Sequence, residues 1–273
     1  MIRLALVLTV LVAPALAQDV VLEGQLTQGG LVIGKALPGT QVTLDGNPLR
    51  LAQDGRFVFG FGRDHPAEAM LSIRLPDGRI DERRLEIARR KYQVQRIDGL
   101  PPRQVTPSPE DLKRIERDRA LIAQALSRDS ETTGALPGFA ISFVWPALGP
   151  ISGVYGSQRI LNGEPRQPHF GVDVAAPTGT PVGAAADATV AVAEADMFFT
   201  GGTVILDHGH GLSTLYAHLS AVEVKPGQTV RQGEPIGRIG ATGRVTGPHL
   251  HWGANWFGIK LDPALLVPAM PKS

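Results

Sequence analysis

Short runs of β-favouring residues, broken by turn dipeptides, fill the first third of the chain. Val20-Val21-Leu22, Gln41-Val42-Thr43-Leu44, Arg56-Phe57-Val58-Phe59 and Met70-Leu71-Ser72-Ile73 are rich in branched and aromatic side chains, and Asp45-Gly46, Asp54-Gly55 and Asp77-Gly78 punctuate them. This pattern predicts a small antiparallel β-sandwich over residues 18–98. A proline-rich stretch from Gly99 to Pro109 follows, opening a linker over residues 99–138. Within it the period changes. Leu112, Ile115, Ile122 and Leu126 fall on one helical face, Ser108 is placed to cap, Pro109 suits the first turn, and Glu110 and Asp111 favour the positive end of the dipole. A helix over 109–127 is expected, with Arg114, Arg117 and Arg128 as its solvated side. From Phe139 to the end β patterning returns, in segments such as Thr203-Val204-Ile205-Leu206, Leu212-Ser213-Thr214-Leu215-Tyr216 and Gly237-Arg238-Ile239. The fold class is therefore all-β: a front sandwich, a linker helix, and a compact β domain with a groove over residues 139–273.

Residues 1–17 change the picture by placing the protein outside the cytoplasm. Arg3, an apolar run from Leu4 to Val12, and Ala15-Leu16-Ala17 form the pattern of a cleavable secretory signal, with Gln18 as the first mature residue. The run is too short to span a bilayer, and no later segment is apolar for long enough, so no membrane span is expected after cleavage. Cleavage removes one of the 27 basic residues and none of the 26 acidic ones, leaving a balanced chain. Such a chain has no general electrostatic reason to bind nucleic acid or anionic lipid. With no cysteine in an exported protein, stability must come from packed cores, which 43% hydrophobic residues allow.

Candidate chemistry is confined to the last third. His169-Phe170-Gly171-Val172-Asp173, Tyr216-Ala217-His218-Leu219 and His249-Leu250-His251 supply four histidines and one carboxylate. A hydrolytic zinc site uses three such ligands and leaves a position for water, so this group has two histidines to spare for moving protons. His249 and His251 share a face if they lie in a strand. His169 and Asp173 are too far apart in a flat strand, so the chain must bend between them, and Gly171 is the residue that permits it. Asp207-His208-Gly209-His210-Gly211 looks metal-like in composition, but its glycines and aspartate mark a hairpin turn. His65 precedes Pro66 in a loop and is read as inert, like the rest of the front half.

Taken in order, the motifs over residues 145–267 resemble the lysostaphin-like, or LytM-type, zinc endopeptidases that cut peptidoglycan peptides. They are Ser152-Gly153-Val154-Tyr155-Gly156, the His169-x-Gly171-x-Asp173 segment with Ala176-Pro177-Thr178-Gly179-Thr180-Pro181-Val182, Tyr216-Ala217-His218-Leu219, Lys225-Pro226-Gly227-Gln228, Gly240-Ala241-Thr242-Gly243, Thr246-Gly247-Pro248-His249-Leu250-His251 and Asp262-Pro263. The resemblance implies a two-sheet antiparallel domain with an open groove and one Zn2+ per chain. By position, His169, Asp173 and His251 match the zinc ligands, and His218 and His249 match the catalytic histidines. Some family members place a tyrosine shortly before the first ligand. Here residues 162–168 contain none, and Arg159 and Asn162 are the residues set near the groove for substrate binding, with oxyanion duty assigned to neither.

The implied function is a zinc metalloendopeptidase acting on peptide cross-links or stem peptides of peptidoglycan. The rival is a non-hydrolytic regulator of another wall hydrolase, which relatives become by losing site residues; here all five positions are intact. A metal-storage module would not need spare histidines in a grooved β domain. Peptidoglycan peptides are the expected partner, with an envelope regulatory protein as a second. Without a repeated wall-anchoring module, the periplasm is expected rather than secretion.

Overall fold

The computed structural model describes residues 20–99, 106–130, 139 and 142–271. Residues 1–17, expected to form a signal segment, and the prolines at 101 and 102 lie outside the described residues. Among the described residues the chain is mostly β with one long helix. Its front half runs β1 (Val20–Gly24), β2 (Leu31–Ala36), β3 (Gln41–Leu44), β4 (Asn47–Leu49), β5 (Arg56–Gly60), β6 (Glu68–Arg74), β7 (Ile80–Glu86) and β8 (Val94–Ile97). The helix α1 (Pro109–Leu126) follows. The back half runs β9 (Ile151–Gly153), β10 (Gln158–Leu161), β11 (Glu164–Pro165), β12 (Val172–Ala175), β13 (Pro181–Gly183), β14 (Ala188–Met197), β15 (Gly201–Asp207), β16 (Leu212–Val222), β17 (Thr229–Val230), β18 (Pro235–Ile239), β19 (His249–Trp256) and β20 (Ile259–Leu261).

Two antiparallel sheets, β1-β2-β5 and β4-β3-β6-β7, form the front sandwich. Along β6 the side chains alternate between exposed and buried, as a strand with one face on a core requires. Asp45 and Gly46 both take positive φ, at 48° and 79°, the geometry of the tight turn that joins β3 to β4. β8 leaves the sandwich. It pairs in parallel with β10, from Val94 opposite Gln158 to Ile97 opposite Leu161, while β11 flanks β10 on the other side.

Ser108 caps α1 by accepting from the Asp111 N–H, and the Asp111 carboxylate accepts from the Ser108 N–H in return. Ile115 and Leu126 are buried as expected, but Leu112 is exposed, and Asp111 and Asp118 are buried instead. The helix lies on the back sheet, where Ala125 and Leu126 pack with Val192, Met197 and Ile205. Asp118 is buried because it accepts the Phe198 N–H at 2.8 Å at the turn between β14 and β15.

The main back sheet has the order β17-β14-β15-β16-β19-β12-β9, with β13 and β18 joined to it through β16. Every residue of β15 is buried, which explains its unbroken apolar run. Tyr216 and Trp252, opposite each other on β16 and β19, are fully buried in the core. That core continues into the front half: Phe57, Phe59 and Phe61 belong to the same cluster as Leu250, Trp252 and Leu261.

Candidate metal centre

Strand pairing brings the sequence-predicted residues to one place. β12 and β19 are antiparallel neighbours, and their register sets Asp173 directly opposite His251. His249 lies two residues earlier on the same face of β19. On the other flank of β19, His251 is paired with Ala217 of β16, so His218 is the next residue along. His218 has φ of 65°, an uncommon backbone for a non-glycine residue, and its N–H donates to the Thr200 carbonyl at 2.7 Å. His169 precedes β12. Its backbone is clamped by the Ser157 carbonyl at 2.8 Å and the Gly156 N–H at 2.7 Å, and the chain then bends at Gly171 into the strand.

His169 Nε2, His251 Nδ1 and Asp173 Oδ1 form a triangle with sides of 2.9 Å. A tetrahedral zinc with bonds of ~2.0–2.1 Å spaces its ligand atoms by about 3.3 Å, so the donor set and its spacing fit that ion with a small outward adjustment. His169 Nδ1 lies 3.1 Å from the Val154 carbonyl, which fixes the ring and turns Nε2 toward the triangle. Burial alone would raise the Asp173 carboxyl, but hydrogen bonds from His169 and His251 outweigh it and hold the group well below the usual carboxylate range. The second Asp173 oxygen, Oδ2, accepts from Arg159 at 2.8 Å. Burial lowers His251, favouring the neutral imidazole a metal ligand must be.

The other two imidazoles flank the triangle. His218 and His249 have ring centroids 4.9 Å apart, and His249 Nε2 lies 3.9 Å from Asp173 Oδ1. Each commits Nδ1–H to a backbone carbonyl, His218 to Thr242 and His249 to Gly247, both at 2.9 Å. In each ring Nε2 is thereby left able to accept a proton. Burial, with His251 and His249 nearby, pushes His218 down to about 3.

Two glycines make room for this packing. A Cβ on Gly171 would sit 2.5 Å from the Trp252 carbonyl oxygen and 2.6 Å from the His251 ring, and one on Gly153 would sit 2.2 Å from Asp173 Oδ2. Gly171 therefore serves close approach of His251 as well as the expected bend. Beside the cluster lies a pocket of 130 Å³, lined by Gln95 and Ile97 of β8, Arg159 and Leu161 of β10, and the loop at Arg244 to Thr246. The front half, expected to carry no chemistry, thus supplies part of its wall. Asn162 sits in the exposed turn between β10 and β11, with φ of 48°, and is not among the residues lining the pocket. Sequence reasoning passed over Arg244 and Gln95; a lone arginine or glutamine in a loop or short strand carries no distinguishing signal. His208 and His210 stay outside the cluster. His208 bridges the Asp187 carbonyl and Thr214 in the core, and His210 packs on Phe139.

Residues 167–263 match peptidase family M23. Over 104 residues the chain is 44% identical to the DD-carboxypeptidase/endopeptidase Mpg of Neisseria meningitidis serogroup B, an alignment covering 38% of this chain and 24% of that protein. Over 85 residues it is 47% identical to the peptidoglycan DD-endopeptidase ShyA of Vibrio cholerae, covering 31% of this chain and 20% of that one. The chain thus spans a quarter or less of the length of these curated relatives. Similarity to the crystal structure of a Pseudomonas aeruginosa protein assigned to peptidase M23 is much more extensive. It covers 89% of this chain and 95% of that one, with 31% identity and a TM-score of 0.65. Matched in its motif region and along nearly its whole length, the chain belongs to peptidase family M23.

Proposed function

We propose that this protein is a zinc-dependent endopeptidase that hydrolyses peptide cross-links or stem peptides of peptidoglycan in the periplasm. The observation that carries the reading is the 2.9 Å triangle of His169, Asp173 and His251 with two further imidazoles beside it. The relatives named DD-endopeptidases support the substrate class. The leader-like residues 1–17 support export.

His169 Nε2, His251 Nδ1 and Asp173 Oδ1 are the atoms that would hold the ion. Bound there, zinc supplies Lewis-acid polarisation of a carbonyl and brings the pKa of a coordinated water toward neutrality. With one carboxylate among its three ligands, an ion held there would keep a net positive charge and would favour a developing oxyanion. Arg159 keeps Asp173 oriented through their 2.8 Å ion pair. His218 and His249 each turn Nε2 away from the carbonyl that holds Nδ1, so Nε2 is the atom of each ring placed to exchange a proton. In this scheme one takes a proton from the attacking water and a proton passes to the leaving amine.

The test is digestion of purified peptidoglycan with mass analysis of the products, with and without a zinc chelator. New amino termini that vanish with the chelator and return with added zinc are expected. Unchanged peptidoglycan with zinc-loaded protein would overturn the reading.

A further inference from the structure

We propose that Arg244, which shares its pocket with Arg159, binds a free carboxylate of the substrate peptide close to the bond being cut. This rests on the peptidase reading above and adds a specificity to it. The pocket beside the metal cluster has β8 and β10 as one wall and the loop at Arg244 as the other, with Asp173, His218 and His249 also lining it. A peptide reaching the cluster must pass these walls.

The charge in the pocket is one-sided. Of its described lining residues only Asp173 is acidic, and its two oxygens are taken by Arg159 and by the imidazoles of His169 and His251. Arg244 is half-buried and held in place, with its guanidinium 4.3 Å from the centre of the Phe199 ring and its N–H donating to the Phe199 carbonyl at 2.8 Å. Burial, then repulsion from Arg159, Arg166 and Arg119, pushes Arg244 down to about 10, so it remains a cation at neutral pH but a crowded one. A planar guanidinium matches a carboxylate in shape, with parallel donors.

Two orphaned polar atoms reinforce the reading. Arg159 Nε and Gln95 Oε1 are buried without a hydrogen-bond partner, and both residues line this pocket. Buried polar groups left unpaired are costly, and orphans lining one pocket mark where a ligand's own groups complete the bonding. The pair offers a donor for an acid oxygen and an acceptor for a peptide N–H.

The test uses two synthetic cross-linked peptide dimers, identical except that a free carboxylate beside the scissile bond is a carboxamide in the second. Affinity is measured calorimetrically on metal-free protein, and hydrolysis on zinc-loaded protein. The wild type should prefer the acid in both, by roughly 10- to 100-fold, the range for losing a charge-assisted bond in a desolvated site. Arg244→Gln should bring that ratio close to one, and Arg244→Lys, which keeps charge without the planar fork, should restore part of it. Equal binding and cleavage of both peptides by the wild type would overturn the proposal while leaving the peptidase standing. So would an acid-to-amide ratio unchanged in Arg244→Gln, which is what a role for Arg244 at the oxyanion would give. Preferential binding of the acid without cleavage would support the subsite and overturn the peptidase reading instead.

Discussion

Gly153 and Gly171 show how tightly the site depends on single atoms. Neither is demanded by a positive φ; each is demanded by space, because a Cβ would press on Asp173 or on the His251 ring. Gly171→Ala would press on the Trp252 carbonyl of β19 as well as on the His251 ring, so it should shift β19 locally, displace His251 and lower zinc affinity. Metal content and circular dichroism, read on the same sample, check this, and full zinc retention would show that the ring has room to move. The five polar residues separate by a different measurement. His169→Ala, Asp173→Ala and His251→Ala should lose zinc together with activity. His218→Ala and His249→Ala should keep zinc and lose rate by roughly 10²–10⁴-fold, as expected for a general acid or base. Metal content measured beside hydrolysis for all five decides it. A zinc-free His249→Ala with a zinc-loaded His251→Ala would reverse the assignment within the pair. At this scale the sequence was informative because all five residues sit in recognisable motifs. Arg244 and Gln95 had no such frame, and their place beside the metal cluster is set by chain segments far apart in sequence.

At the scale of elements, strands with a buried face announced themselves and strands with polar faces did not. β3, β5 and β6 were legible from branched and aromatic residues between glycine turns. β7, Ile80-Asp-Glu-Arg-Arg-Leu-Glu, buries only Leu85, and β8, Val94-Gln-Arg-Ile, buries none fully. Their strand identity comes from pairing with β6 and β10, which is tertiary context rather than propensity. The helix runs from Pro109 to Leu126 behind its Ser108 cap, where 109–127 was expected, but its buried aspartates were not legible, because the partner of Asp118 is a backbone N–H eighty residues away. The placement of β8 determines what a truncation should do. A chain starting near Phe139 keeps all five site residues, so it should still bind zinc. It loses β8 from the pocket wall, the Asp118 contact to Phe198, and the cover that Leu126 gives Val192 and Ile205. Hydrolysis should therefore drop well below that of the full chain even where the fold survives by circular dichroism. Undiminished hydrolysis would show that β8 takes no part in the cleft.

Front and back halves share one apolar core, and a buried ion pair fastens them. Asp262 accepts from Arg90 at 2.8 Å, donates its N–H to the Gly29 carbonyl at 2.8 Å, and caps the turn after β20 by accepting from Ala264. Arg90→Met strands that carboxylate and should cost roughly 2 kcal/mol, less than a fully buried pair because Arg90 is itself partly exposed. A single, shifted unfolding transition is expected in calorimetry, since the core is continuous; two separate transitions would mean that the halves melt independently. The pH dependence of that stability has a traceable source in His208. Its Nδ1–H donates to the Asp187 carbonyl, its Nε2 meets the Thr214 hydroxyl at 2.8 Å, and Thr214 meets Tyr216 Oη, which accepts the Ala185 N–H. Complete burial pushes His208 from its ordinary 6.5 down to about 4. Between those values the unfolded chain binds the proton and the folded chain does not, so stability rises with pH across the window. The contribution is full above about pH 6.5, falls as the pH drops through the window, and is lost near pH 4, a change of roughly 3 kcal/mol. His208→Gln removes the titrating group, so the difference in denaturant midpoint between wild type and variant should narrow steadily from pH 7 to pH 4. A difference that stays constant over that range would show that His208 titrates alike in the folded and unfolded chain.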